Sequence, residues 1–197
     1  INPHFLANTL NTISYLAQLR GMDNIKSISD ALMNILLVSM GKESKIITVE
    51  KEISYVKDYL LIQSYRYPDF YQVEFDIPKE LMEYKIPKFV LQPIVENAVV
   101  HGVTQLEGAE GKVTVKGSLK EKDINICVTD NGPGISEEKA AGLLKGHADD
   151  KGICGLGVKS VDQRLKLLFG PQYGLTIESR PGLTEVNIRF PAGDSVG

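Results

Sequence analysis

Asp130, Asn131, Gly132, Pro133 and Gly134 follow directly on an alternating apolar and polar run, Asp123 to Thr129, so a carboxylate stands where a strand ends and a tight turn begins. Glycines on either side of a proline let the backbone approach a flat ligand, and the carboxylate can accept a hydrogen bond from an exocyclic amine such as that of adenine. The same five residues also suit an ordinary strand-exit turn, because Asp-Asn-Gly and Pro-Gly are common turn formers. Upstream, Asn97 and His101 stand four residues apart within an apolar run and share one helix face. A carboxamide oxygen is a hard ligand suited to Mg2+, whose shell phosphate oxygens and water complete; a polar pair satisfied inside the protein is the alternative. Downstream, Gly152, Gly155 and Gly157 precede a helix, an arrangement that frees backbone amides to face phosphate oxygens at the positive end of the helix dipole. No G-x-x-x-x-G-K-[ST] occurs, and no G-x-G-x-x-G joins a strand to a helix, which argues against a P-loop enzyme and a dinucleotide dehydrogenase.

The elements that must position these groups fall into two parts. From Phe5 to Leu19 the residues Leu6, Leu10, Ile13, Leu16 (or Ala17) and Leu19 recur at helical spacing and predict one buried stripe, which Gly21 interrupts. A second helix is expected from Asn24 to Met40, ended by Gly41. A third runs from an N-cap at Thr48 to about Arg66. A hairpin this short buries too little by itself, so its apolar stripe predicts pairing with a second hairpin in a four-helix bundle, that is, a homodimer. After Pro68 the period changes. Strands are expected at Gln72 to Ile77, Gly111 to Leu119, Asp123 to Thr129, Gly174 to Ser179 and Thr184 to Phe190, with helices at Lys88 to Val103 and Val158 to Phe169. Residues 135–151 are poor in apolar side chains and read as a mobile lid. The expected class is α+β: a helical region over residues 1–66, then an α/β sandwich over 67–197 with a mixed, mainly antiparallel sheet and helices on one face.

Composition narrows the partners. With 197 residues, 43% hydrophobic and 24% charged, the chain can bury a full core. A net charge of −3 from 22 basic and 25 acidic residues gives no electrostatic case for nucleic acid or an anionic membrane surface. Cys127 and Cys154 lack CxxC spacing, which argues against a disulfide framework or a cysteine zinc site and fits a reducing, cytosolic compartment. No apolar run approaches the ~20 residues of a membrane span. The chain opens at Ile1 inside a helical pattern, so a fragment of a longer protein is expected.

Taken in order, Asn97, the Asp130 to Gly134 block, Gly155-Leu156-Gly157 and Leu183-Thr184 resemble the ATP-binding domain shared by gyrase, heat-shock chaperone, histidine kinase and mismatch-repair ATPases, over roughly Tyr71 to Pro191. Pro3-His4-Phe5-Leu6 and Glu96-Asn97-Ala98-x-x-His101-Gly102 are similar to one subfamily of sensor histidine kinases, which extends the resemblance nearly end to end. That resemblance implies ATP and Mg2+ as cofactors. Asn97 would hold Mg2+ with His101 beside it; Asp130 would take the adenine amino group with Thr184 assisting through water; Gly132, Gly134, Gly155, Leu156 and Gly157 would shape the pocket and lid. His4 would be the phosphoacceptor, sharing an exposed face with Asn8, Asn11 and Tyr15, and a response regulator aspartate would receive the phosphoryl group. Asn8 would position water or the phosphoryl group, and Glu96 or Asn8 would stand in for the acidic residue that many relatives carry where this chain has Phe5. Two departures stand out: Ala7 where an aromatic residue is usual, and Val100 where a lysine is frequent, with Lys159 or Arg164 as compensating cations. The resemblance further implies a membrane-anchored bacterial parent, attached only through segments upstream of this chain. The rival readings are a non-catalytic, dimeric ATP-binding scaffold and a gyrase-type hydrolase. The latter needs a carboxylate one turn before Asn97, where Pro93 stands.

Overall fold

The computed structural model describes residues 2–41, 44–68, 70–106, 110–145 and 156–193. Helix α1 spans Pro3–Leu19, and Asn2 caps it by accepting the His4 N–H at 3.0 Å. Helix α2 spans Asp23–Ser39; Gly41, at φ 75, donates its N–H to the Val38 carbonyl at 3.2 Å and closes the helix as expected. The two helices meet through small residues. Ala7, Ser14 and Ala17 of α1 and Ser29 and Ala31 of α2 are buried, while Leu6, Ile13, Leu16, Leu19 and Leu32 remain between 37% and 62% exposed. Of the stripe expected to be buried, Leu6, Ile13, Leu16 and Leu19 therefore face outward in the single chain while the alternative Ala17 is buried, because side chains of one or two heavy atoms let the backbones approach and turn the larger residues away.

Strand β1 (Ile46–Thr48) leads into helix α3 (Val49–Arg66), whose first turn is capped by Thr48 accepting the Lys51 N–H at 3.2 Å. Strand β2 (Tyr71–Asp76) opens the second part, and β3 (Lys85–Pro87) returns to pair antiparallel with β1. These two three-residue strands carry too little pattern to be visible in the sequence. Helix α4 (Gln92–Asn97) follows, then β4 (Gly111–Lys120), β5 (Asp123–Asp130), α5 (Glu137–Lys145), α6 (Leu156–Phe169), β6 (Gly174–Arg180) and β7 (Leu183–Pro191). The main sheet has the order β2-β4-β5-β7-β6; β2 and β4 are parallel and the other neighbours antiparallel. Alternation along β5 sends Ile124, Ile126 and Val128 into the core, where they meet Val95 and Val99 and the α6 residues Val161 and Leu165. Helix α3 contributes Val49, Ile53 and Val56 to the same core.

Two expectations are corrected. The helix expected over Lys88 to Val103 starts only at Gln92, because Phe89 takes φ 58; past Asn97 it widens into a π turn, Ala98–Gly102, and tightens into a 3-10 turn, Val103–Gln105. Part of the stretch read as a lid is the helix α5, nucleated by Ser136, whose hydroxyl accepts the Lys139 N–H at 3.3 Å, and held by Leu143 and Leu144 against the core. Residues 146–151 of that stretch lie outside the described residues. Among the described residues no helix is long and apolar enough to cross a membrane.

Phe190 is fully buried and its ring lies 6.5 Å from that of Phe169. Phe190→Ala should destabilise the fold by about 3–5 kcal/mol, read as a lowered urea midpoint; an unchanged midpoint would show that this end of the sheet carries none of the core.

Candidate functional site

Asp130 ends β5 with its side chain on the core side, 6% exposed, opposite Thr184 in the register with β7. Burying a carboxylate is costly, and here a single backbone bond, Gly132 N–H to Oδ1 at 2.9 Å, offsets part of the cost. Two glycines make the approach feasible. A Cβ on Gly102 would lie 2.6 Å from Asp130 Oδ1, and one on Gly132 would lie 2.7 Å from it. Gly134, at φ 78, passes so close to the Arg180 carbonyl that a Cβ would collide with it. Asn131 fastens the turn to β4: its Oδ1 accepts the Lys112 N–H at 2.7 Å and its Nδ2 donates to the Glu110 carbonyl at 3.0 Å. On the opposite side the Ser179 hydroxyl accepts the Ile135 N–H at 2.9 Å and pairs with the Thr184 hydroxyl at 2.9 Å.

Above Asp130 lies a cavity of ≈ 760 Å³. Its walls are apolar (Ile94, Ala98, Val128, Leu143, Val158, Ile177, Val186), with a few polar groups converging: Asn97, His101, Gln105, Asp130, Lys139 and Thr184. Apolar walls with sparse, directed polar groups suit a flat heteroaromatic ligand. Asn97 is held by its own helix, its Nδ2 donating to the Pro93 carbonyl at 2.8 Å, which leaves Oδ1 as the atom offered to a cation. Among the described residues no group of three or more His, Cys, Asp or Glu side chains could hold a metal ion. A cation in this cavity would therefore draw most of its ligands from a bound phosphate chain and water, which is how Mg2+ is commonly held. The buried acceptor, the glycine cradle and the carboxamide oxygen fit Mg2+ and ATP together.

The structure thus brings Asn97, His101, Asp130, Gly134 and Thr184 to one cavity, with Gly132 packed behind the carboxylate. Gly157 does not line it; a Cβ there would lie 3.2 Å from that of Pro93, so it sets how closely α6 starts against α4. Leu156 is 55% exposed, and Gly155 lies outside the described residues. Glu96 is exposed and does not line the cavity. His4 and Asn8 are exposed on α1, with Asn8 Nδ2 3.4 Å from His4 Nδ1, and neither lines the cavity. Val100 does line it; Lys159 and Arg164 do not, and the Arg164 guanidinium instead donates to the Phe89 carbonyl at 2.6 Å. Lys139 supplies a cation that the sequence did not reveal, because it sits on the helix read as a lid. Gly102 was visible only as part of its motif, because its role depends on a π turn bringing it onto a carboxylate 28 residues away.

This fold, with an acidic strand end, an asparagine-bearing helix and glycine turns around one cavity, defines the class of histidine kinase-, DNA gyrase B- and HSP90-like ATPases, whose family model matches residues 84–194. A histidine kinase model matches residues 1–71. The chain is 33% identical over 195 residues to the sensor histidine kinase BtsS of Escherichia coli (strain K12), covering 98% of this chain and 32% of BtsS. It is 32% identical over 199 residues to the sensor histidine kinase YesM of Bacillus subtilis (strain 168), covering 100% of this chain and 33% of YesM. It is 35% identical over 201 residues to YwpD of the same strain, covering 69% of that protein. The chain therefore spans about a third of the sensor kinases it matches. Among solved structures, the histidine kinase domain of a blue-light activated kinase from Erythrobacter litoralis EL346 superposes with a TM-score of 0.58 at 16% identity, covering 96% of both chains. The catalytic domain of histidine kinase ThkA gives 0.57 at 20% identity, covering 75% of this chain and 96% of that one. The chain belongs to the sensor histidine kinase family.

Burial raises the pKa of Asp130 from 3.8 to about 6 against the opposing pull of the Gly132 N–H. The folded chain then holds a proton that the unfolded chain has released once the pH passes about 4, so the stability tied to this group falls as pH rises from about 4 to about 6 and levels off above. Asp130→Asn, which does not ionise, should gain stability over wild type across that window, on the order of 2 kcal/mol by pH 7, read from urea midpoints at pH 4 and pH 7. Parallel pH profiles for the two proteins would contradict the buried carboxylate.

Proposed function

We propose that this chain is the catalytic core of a sensor kinase that transfers the γ-phosphoryl group of Mg2+-ATP to His4 and then to an aspartate of a response regulator receiver domain. The observation that carries this reading is the convergence of Asp130, Asn97 and Thr184 on one cavity in a chain that also exposes a histidine on a separate helix. Residues 1–66 serve as the dimerisation and phosphoacceptor region and residues 67–197 as the ATP-binding region. The parent protein sits in a bacterial membrane through segments upstream, with this part on the cytoplasmic side.

In the cavity, Asp130 accepts the adenine amino group and Thr184 supports the same edge of the base through water. Gly132 and Gly134 keep the turn free of side chains so that the ring lies against backbone. Asn97 presents Oδ1 to Mg2+, which when bound neutralises charge on the phosphate chain. Lys139 and His101 line the same cavity and add positive or hydrogen-bonding character. At the acceptor, a neutral imidazole is the nucleophile. With the Asn8 amide turned so that its oxygen accepts the Nδ1 proton, the Nε2 lone pair faces outward. That pair forms the bond to the γ-phosphorus as the bond to the β–γ bridging oxygen breaks and ADP leaves with its electrons. His4 does not line the cavity, so transfer requires either rearrangement of the helical region or the acceptor of a partner subunit.

The test is incubation with γ-labelled ATP and Mg2+. Wild type should acquire acid-labile, alkali-stable label that His4→Ala and Asn97→Ala both lose by at least ~100-fold; ATP binding without any label would favour the dimeric scaffold instead. The exposed Ile13, Leu16 and Leu19 of α1 support a homodimer. Sedimentation equilibrium should give a dimer for wild type and a shift to monomer for Leu16→Asp; a wild-type monomer at ~100 μM would rule out a stable dimer of this chain.

A further inference from the structure

Helix α4 has no side-chain cap of its own at its start. The missing acceptor comes from α3. Glu52 is 1% exposed, and its carboxylate takes the Phe89 N–H on Oε2 at 2.9 Å and the Val90 and Leu91 N–H groups on Oε1 at 2.7 and 2.8 Å. These are the three residues immediately before Gln92, and the first of them is the non-glycine residue at φ 58. Such a conformation persists only where the surroundings over-determine it. Arg164 of α6 closes the arrangement by donating Nη2 to the Phe89 carbonyl at 2.6 Å.

From this point the path to the cavity is short. Leu91 leads into Pro93, whose carbonyl accepts the Asn97 amide at 2.8 Å and so fixes which way the Asn97 oxygen faces. Asp130 is held differently, by β5 pairing with β4 and β7, with no bond to the Phe89 turn. The carboxylate thus rests on the sheet and meets the continuation of α4 only at Gly102, whereas the carboxamide sits within α4 itself, nearer the Glu52 clamp.

We propose that Glu52, assisted by Arg164, is a positioning residue for the metal-phosphate end of the site, acting through the start of α4 on the Asn97 oxygen and much less on the adenine end, which the sheet holds. The inference rests on the reading of the cavity as an Mg2+-ATP site. Partners that orient a metal ligand without touching the metal typically govern affinity by 10–100-fold. Glu52→Gln is the near-isosteric probe: it keeps one oxygen acceptor and sets an NH2 group against the Phe89 N–H.

The experiment measures ATP binding by calorimetry with Mg2+ and, separately, in excess EDTA, for wild type, Glu52→Gln, Asn97→Ala and the double variant, with near-ultraviolet circular dichroism reporting the fold. Glu52→Gln should weaken binding about tenfold with Mg2+ and less than about threefold without it, and in the Asn97→Ala background it should have almost no further effect with Mg2+, the non-additivity expected of groups acting in series. Equal losses in the two conditions, or additive losses in the double variant, would make Glu52 a support of the fold alone and overturn the proposal. If Glu52→Gln does not fold, Arg164→Lys, which loosens the same Phe89 turn and keeps the carboxylate, is judged by the same two criteria. A wild-type chain that binds no ATP in either condition would remove the reading of the cavity and this inference with it, whereas wild-type binding with an indifferent Glu52→Gln removes the inference only.

Discussion

A carboxylate kept out of water organises this molecule. Asp130 has one backbone N–H for company, and burial alone lifts its pKa to about 6. A group so placed weakens the empty fold and is useful only where a ligand completes its hydrogen bonds. The rest of the ATP-binding part can be understood as the means of holding it there. Alternation along β5 sends it to the core side. Two glycines, one after the strand and one at the end of the π turn, leave the space that any side chain would fill. The π turn, Ala98–Gly102, ends at the glycine that packs on the carboxylate.

Much of this could be read from residue order because the signals are local. The β5 alternation and the Asp-Asn-Gly-Pro-Gly turn lie in twelve consecutive residues, and the asparagine-bearing helix lies within one apolar run. Thr184 follows from register once β5 and β7 are adjacent. What stayed hidden depends on partners far apart in sequence. The late start of α4 is dictated by Glu52, 37 to 39 residues away. A glutamate one turn into an amphipathic helix looks like any solvated charge until its neighbours are known. The β1 and β3 strands are three residues each and exist because they pair. Helix α5 was masked by a stretch poor in apolar residues, and it is held by buried Ala140 and by Leu143 and Leu144 packed against the core.

The leucines of α1 teach a related lesson from the other direction. Their helical period was plain, but period alone does not say which partner covers a face. Within one chain the small residues win the contact between α1 and α2, since Ala7, Ser14, Ala17, Ser29 and Ala31 allow the closest backbone approach. The larger apolar groups are left outside among the described residues, open to a partner. Ala7, the residue where the resemblance expects an aromatic one, is only 8% exposed.

The distribution of bonds along the helical region also decides where it can give way. Helix α3 joins the ATP-binding part through a fully buried carboxylate with three backbone bonds and through Val49, Ile53 and Val56 in the common core. Helix α2 is tied to the same core by Val38 and by two hydrogen bonds. Lys88 Nζ donates to the Val38 carbonyl at 3.2 Å, and Asn34 Nδ2 donates to Asp58 at 3.0 Å on the exposed side. Each of these is worth about 0.5–1.5 kcal/mol, whereas stripping Glu52 of its partners would leave a buried charge unpaired at several kcal/mol. The Glu52 clamp is therefore the costliest of these ties to break, and it binds α3 to the start of the helix that carries Asn97.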